Sequence, residues 1–234
     1  MRYSLALFLF PLVGIPLALA QTTPQAQAGQ CSLVLVNALP GPANLHVKFG
    51  AEDIWPLGFT PGQSTGGVLF PSGKKTVTLL CEGYAQTKKE IVMPSGGNFA
   101  MIFFPGEEIK EGSDKGKRQI GLFCPPAILA GQPPKEKNWH LLLAGPLAQA
   151  QLTVNAKTMD LKLGQPFTAD GGKILVESRG QILLSASPEG EGNYWAVIYG
   201  DRAESLQAVY LNHVAYSVPK PVAQTAGEQP AETK

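Results

Sequence analysis

From residue 31 onward the apolar positions fall into short runs bounded by Gly, Pro, Asn and Ser, the rhythm of strands and tight turns rather than of amphipathic helices. In the first half this pattern predicts strands over 31–39, 45–49, 67–70, 76–81, 87–93, 99–104 and 119–123. Pro40-Gly41-Pro42, Thr60-Pro61-Gly62, Pro71-Ser72-Gly73 and Pro94-Ser95-Gly96-Gly97 separate them, each supplying the residues a tight turn needs. So many short strands in so little chain predict an antiparallel, Ig-like β-sandwich.

The pattern then restarts. Leu33-Val34-Leu35-Val36 is answered by Leu141-Leu142-Leu143, Asn44-Leu45-His46-Val47 by Gln151-Leu152-Thr153-Val154, and Phe59-Thr60 by Phe167-Thr168. Val68-Leu69-Phe70 is answered by Ile174-Leu175-Val176, and Gly97-Asn98-Phe99 by Gly192-Asn193-Tyr194. The offset is 107 at Asn44 (151 − 44) and 95 at Gly97 (192 − 97), which predicts an internal duplication whose second copy has a shortened hairpin around residues 84–89. The stretch 125–137, PPAILAGQPPKEK, reads as a Pro-rich linker. The expected organisation is all-β: one sandwich domain over 31–124, a second over 138–218, and a disordered polar tail over 219–234. Residues 106–118, GEEIKEGSDKGKR, read as a solvated hairpin tip.

Ahead of these domains, Arg2 precedes an apolar run over 5–19 that Pro11, Gly14 and Pro16 interrupt, and Ala18-Leu19-Ala20 closes it with the small-x-small pattern of signal cleavage. Residues 1–20 are therefore expected to be a cleaved secretory signal. A lipid anchor at Cys31 is rejected because Gln30 stands where a small residue is required. No second long apolar run follows, so the exported chain is expected in the periplasm or outside the cell, without a membrane span.

Charge narrows the partners. Lys and Arg number 19 against 18 Asp and Glu, and loss of Arg2 leaves 18 against 18, so the footprint of a nucleic-acid binder is missing. Charged residues are only 16% of the chain, while 26 Gly and 20 Pro keep it rich in turns. Three cysteines, Cys31, Cys81 and Cys124, enter an oxidising compartment, where one disulfide and one buried leftover thiol are expected, with the pairing open.

Candidate chemistry is sparse. Gly62-Gln63-Ser64-Thr65-Gly66 matches the nucleophile-elbow spacing, but Pro61 precedes it and a strand follows it, so no helix N-terminus supports an oxyanion site; Ser64 reads as a turn residue. His46, His140 and His213 lie far apart and lack a second ligand type at metal-binding spacing. Zinc-protease, EF-hand and phosphate-loop motifs are missing, so neither a metal nor another cofactor is expected, and no catalytic residue is assigned. Glu52, Asp53, Asp160 and Asp170 fall in expected turns. Trp139 and Trp195 lie within strands and read as core, whereas Trp55 and Tyr84 lie nearer turns and form the candidate ligand-binding pair, since a flat apolar ring suits a sugar face.

The stretch LVLVNALP (33–40) followed by PANLHV (42–47), with PSGKKTVTL (71–79) and GGNFAMI (96–102), resembles a family of secreted bacterial β-sandwich domains of undefined function. Two such domains behind a signal peptide are also similar to the periplasmic adaptors of alginate O-acetylation. That resemblance implies a scaffold without a catalytic site, contacting an acetyltransferase or the polysaccharide itself. The expected function is thus a non-catalytic binding or adaptor protein of the cell envelope. The alternatives are a structural surface-layer component and, behind it, a hydrolase.

Overall fold

A computed structural model describes residues 28–129, 137–188 and 192–213. The expected signal, the tail and most of the expected linker lie outside these residues. The first unit runs β1 (Gln30–Asn37), β2 (His46–Phe49), β3 (Glu52–Asp53), β4 (Val68–Pro71), β5 (Gly73–Leu80), β6 (Thr87–Met93), β7 (Gly97–Glu108), β8 (Arg118–Phe123) and β9 (Ile128–Leu129). The second runs β10 (Lys137–Leu143), β11 (Gln149–Val154), β12 (Lys157–Lys162), β13 (Phe167–Asp170), β14 (Ile174–Ser178), β15 (Gln181–Ala186), β16 (Gly192–Tyr199) and β17 (Gln207–His213).

The fold is all-β, two tandem β-sandwiches, and the second repeats the topology of the first. In the first, a sheet ordered β4-β1-β7-β8, with β9 also on β7, faces one ordered β3-β2-β5-β6. In the second, β13-β10-β16-β17 faces β12-β11-β14-β15. Each sandwich contains one parallel pair in otherwise antiparallel sheets: β1 on β7, with Cys31 opposite Gly97, and β10 on β16, with Lys137 opposite Gly192. The hairpin between β5 and β6 does shorten, its counterpart between β14 and β15 being the two-residue turn Arg179-Gly180, both at positive φ as such hairpins require.

The topology corrects two of the expected correspondences. Val68–Pro71 pairs with β1 just as Phe167–Asp170 pairs with β10, so β4 answers β13, and Ile174–Ser178 answers β5 instead. Phe59 lies in a loop bridged to Leu45 and has no equivalence with Phe167. Short apolar runs resemble one another in sequence, and only their pairing partners distinguish them. The expected linker is also shorter than its composition suggests, because Ile128–Leu129 adds to β7.

Three apolar clusters hold the chain. One lies inside the first sandwich, with Leu33, Leu35, Val47, Val77, Met101 and Phe103; another inside the second, with Trp139, Leu141, Leu152, Val176, Tyr194 and Ile198. The third joins the two: Val34, Val36, Ala100 and Ile102 on the back of one inner sheet meet Leu142, Trp195, Val197 and Tyr199 on the back of the other. The molecule is therefore a stack of four sheets. Strands β1, β7, β10 and β16 are buried on both faces and read as continuous apolar runs, whereas β2 and β11, buried on one face, alternate.

The expected disulfide is not formed: Cys31, Cys81 and Cys124 are all free. Register explains why. Cys31 sits opposite Gly97, while Cys124 follows Phe123, which is opposite Ile102; with a rise of roughly 3.3 Å per residue and strands about 4.8 Å apart, the two are on the order of 16 Å apart across the sheet. Cys81 closes the turn to Tyr84 beside Arg118, at the end of β8 opposite to Cys124. Bridged Cα atoms must approach within about 7 Å.

Candidate functional site

At one end of the first sandwich the chain forms an open polar groove of 680 Å³. Its walls are the 42–44 turn, His46 at the start of β2, the β5–β6 connection with Cys81, Glu82, Tyr84 and Gln86, and Asp114 and Lys117 from the β7–β8 tip. The β5–β6 connection is stitched between the two sheets. The Tyr84 N–H donates to the Cys81 carbonyl (3.1 Å) and the Ala85 N–H to the Arg118 carbonyl (2.9 Å). Buried Thr87 accepts from the Ile120 N–H (3.0 Å) and donates to the Ala85 carbonyl (3.2 Å). Cys81 Sγ donates to the Ala43 carbonyl at 3.7 Å, tying the 42–44 turn to the same connection.

Burial, reinforced by Cys81 and Asp201 and opposed by Arg118, pushes the Tyr84 phenol up to about 12, so at neutral pH it is a hydroxyl donor on a ring face. Around it stand the amide groups of Asn44 and Gln86, the Glu82 carboxylate and the Asp114–Lys117 ion pair at 2.9 Å. His46 Nδ1 lies 3.4 Å from Asp53 Oδ2. Cys81 is a poor nucleophile in this setting, since burial and then the Glu82 charge raise its thiol. The groove thus presents hydrogen-bond donors and acceptors around one aromatic ring.

Trp55 does not line the groove. It lies 45% exposed on the neighbouring loop, its ring 6.0 Å from that of Phe59, and its backbone N–H donates to Asp53 Oδ1. That loop nevertheless touches the groove's wall. The Gly58 N–H donates to the Trp55 carbonyl, and Gly58 packs so closely on Asn44 and His46 that a Cβ would lie 3.1 Å from His46 Nε2. His46 thus lines the groove and also meets the Trp55 loop at Gly58. The sequence pattern missed Asn44, Gln86, Asp114 and Lys117; the 106–118 segment, expected to be a solvated tip, contributes two of the lining residues.

The other candidates have structural explanations. Ser64 bridges to Val36 along the edge of β1, and its Oγ reaches only the Thr65 carbonyl, at 3.5 Å. Thr65 exchanges bonds with Leu35, so this segment is a strand-like ribbon rather than an elbow. His140 stacks on Trp195 at 4.7 Å with Nδ1 at 3.0 Å from Thr168 Oγ1, and the His213 side chain lies outside the described residues. Trp139, whose Nε1 donates to the Gly172 carbonyl, and Trp195 are both buried. Glu52 and Asp53 form β3, Asp160 is exposed on β12, and Asp170 ends β13. Among the described residues no group of three His, Cys, Asp or Glu could hold a metal ion, and no helix is long and apolar enough to cross a membrane.

No protein-family model matches the chain, and no curated protein matches it. Among solved structures the chain is similar to a family 26 carbohydrate-binding module of Amy13K from Eubacterium rectale, solved in complex with maltoheptaose. The two share 8% identity and a TM-score of 0.23, over 80% of this chain and 97% of that one. A superposition that loose carries no inference about ligand.

Proposed function

We propose that the chain is a non-catalytic binding module of the cell envelope whose first-sandwich groove takes a polysaccharide. The observation that supports this most directly is the groove itself: 680 Å³, open, with Tyr84 presenting a ring and a protonated hydroxyl among amide and carboxylate groups. A serine-hydrolase reading would need Ser64 beside a base, and Ser64 Oγ bonds instead to the Thr65 carbonyl. In this reading the signal expected at residues 1–20 exports the module to the periplasm or beyond it. Within that reading, the similarity to alginate O-acetylation adaptors narrows the ligand to a uronic-acid polysaccharide and the protein partner to an acetyltransferase.

One observation favours the surface-layer alternative. Strand β15 is an uncharged sheet edge, QILLSA, with Ile182 58% exposed, whereas its counterpart β6 carries exposed Lys88, Lys89 and Glu90, which discourage edge pairing. The deciding experiment passes the chain from residue 21 onward over immobilised alginate and, in parallel, over an envelope extract, and measures its mass by light scattering. Retention on alginate that Tyr84→Ala weakens at least about tenfold, by a monomer, is the expected result. A chain that retains neither glycan nor partner and forms multimers would sink the binding reading.

A further inference from the structure

The second sandwich holds a separate cavity of 350 Å³, on the other side of the molecule's duplication, where the edge strands β12 and β13 part at the mouth of the core. Four apolar residues line it, Val154, Met159, Phe167 and Ala169, together with Asn155, Lys157, Thr158 and Thr168. The duplication shows what is different here. Phe49 and Val154 are equivalent: each ends its strand before a two-residue turn, and each pairs with a valine of the adjacent strand, Val77 and Val176. In the first sandwich Phe49 packs on Phe70 with ring centroids 4.5 Å apart and closes the mouth. In the second, Val154 stands in place of Phe49, and the register that sets Phe70 opposite Cys31 brings Gly171 opposite Lys137, so no such ring pair forms; Phe167, whose register with Leu141 turns it toward the core, is 41% exposed.

A charge marks the opening. Lys157 is paired with Val154, so it stands on the same core-facing row of β12 as Met159 and Leu161, at the row's open end, exposed, where its methylene stem lines the cavity. An apolar floor with a cation at its lip complements a molecule with an apolar body and an anionic head. We infer that this cavity is a binding site for a small anionic amphiphile, its chain between Val154, Met159 and Phe167 and its carboxylate or comparable anion at Lys157. The size lies within the roughly 300–1,000 Å³ of small-molecule sites, and the inference is independent of the groove proposed above.

The test titrates the full chain with decanoate and, separately, with decanol, the same chain without the charge, by calorimetry. Wild type is expected to bind decanoate saturably below its millimolar solubility. Val154→Phe, which installs the residue of the first sandwich, is expected to weaken both ligands about tenfold or more while the β-sheet circular dichroism is kept. Lys157→Met is expected to weaken decanoate several-fold and leave decanol unchanged. Absence of saturable decanoate binding, or binding that survives Val154→Phe, overturns the inference. Should Val154→Phe fail to fold, Lys157→Met decides: an unchanged affinity for decanoate overturns the anionic site and leaves Lys157 as an inward-facing guard of an edge strand.

Discussion

Tyr199 of the second sandwich stands against Gly62 of the first, so closely that a Cβ on Gly62 would overlap its hydroxyl. Gly62 is the third residue of the turn Thr60-Pro61-Gly62-Gln63, with φ +75°, and its N–H donates to the Asn37 carbonyl at 2.8 Å. The Tyr199 hydroxyl donates to Gln207 Oε1 at 2.9 Å, which fixes the ring in place. Gly62→Ala therefore meets two penalties, about 1–2 kcal/mol for a side chain in left-handed backbone and a further cost for displacing Tyr199. The expected loss is about 2–4 kcal/mol in denaturant unfolding, within the range of severe single substitutions. In a double-mutant cycle, Tyr199→Phe should recover the second penalty and not the first.

The same face decides how the molecule unfolds. Trp195 is buried between the sandwiches, 5.4 Å from the Phe123 ring and stacked on His140. Because a third core joins the two inner sheets, wild type is expected to unfold in one cooperative calorimetric transition. Trp195→Ala removes the largest side chain of that core at a cost of about 3–5 kcal/mol, and should split the transition in two. A wild-type scan with two resolved transitions would show the sandwiches to be independent.

Much of this architecture is legible in the chain, and the limits of that legibility are physical. Every strand expected in the first half is present, because β2 and β5 alternate and the turns between them carry Pro and Gly at the positions their geometry needs. What periodicity cannot show is which core a residue enters: Leu33 and Val34 are equally apolar, yet one faces the first core and the other faces the second sandwich. Within the nucleophile-like spacing at 62–66, Gly62 leaves room for Tyr199 and Thr65 pairs with Leu35, so these two residues have structural roles. Of the groove, only Tyr84 stood out by position. Asn44 and Lys117 lie 73 residues apart (117 − 44) and line one groove through the Cys81–Ala43, Thr87–Ile120 and Ala85–Arg118 bonds, which no local pattern encodes.

The unbonded thiols give a pH signature. Burial raises the Cys124 thiol from 9.0 to about 11, so in the folded chain it keeps a proton that the unfolded chain releases. The stabilisation is fully present below about pH 9 and is lost as pH rises through about 11, on the order of 2 kcal/mol at that point. Unfolding midpoints measured from pH 8 to 11 should fall for wild type and fall less for Cys124→Ala. In denaturant, all three thiols should react with a thiol reagent without prior reduction; fewer than three would reveal a disulfide.

If the groove takes a polysaccharide as proposed, Trp55 and Tyr84 are expected to contribute separably, because Tyr84 lines the groove and Trp55 does not. A short oligosaccharide that fills the groove contacts Tyr84 alone, so Tyr84→Ala should weaken it about tenfold, near 1.4 kcal/mol, and Trp55→Ala should leave it unchanged. If a longer chain extends from the groove onto the neighbouring loop, Trp55→Ala should cost affinity there as well, since that ring is exposed. Tyr84→Phe keeps the ring and loses the donor, so it separates stacking from hydrogen bonding. Titration of each variant with uronic-acid oligosaccharides of increasing length reads all three contributions. A Trp55→Ala effect equal at every length would place that residue inside the binding groove, against the geometry described above.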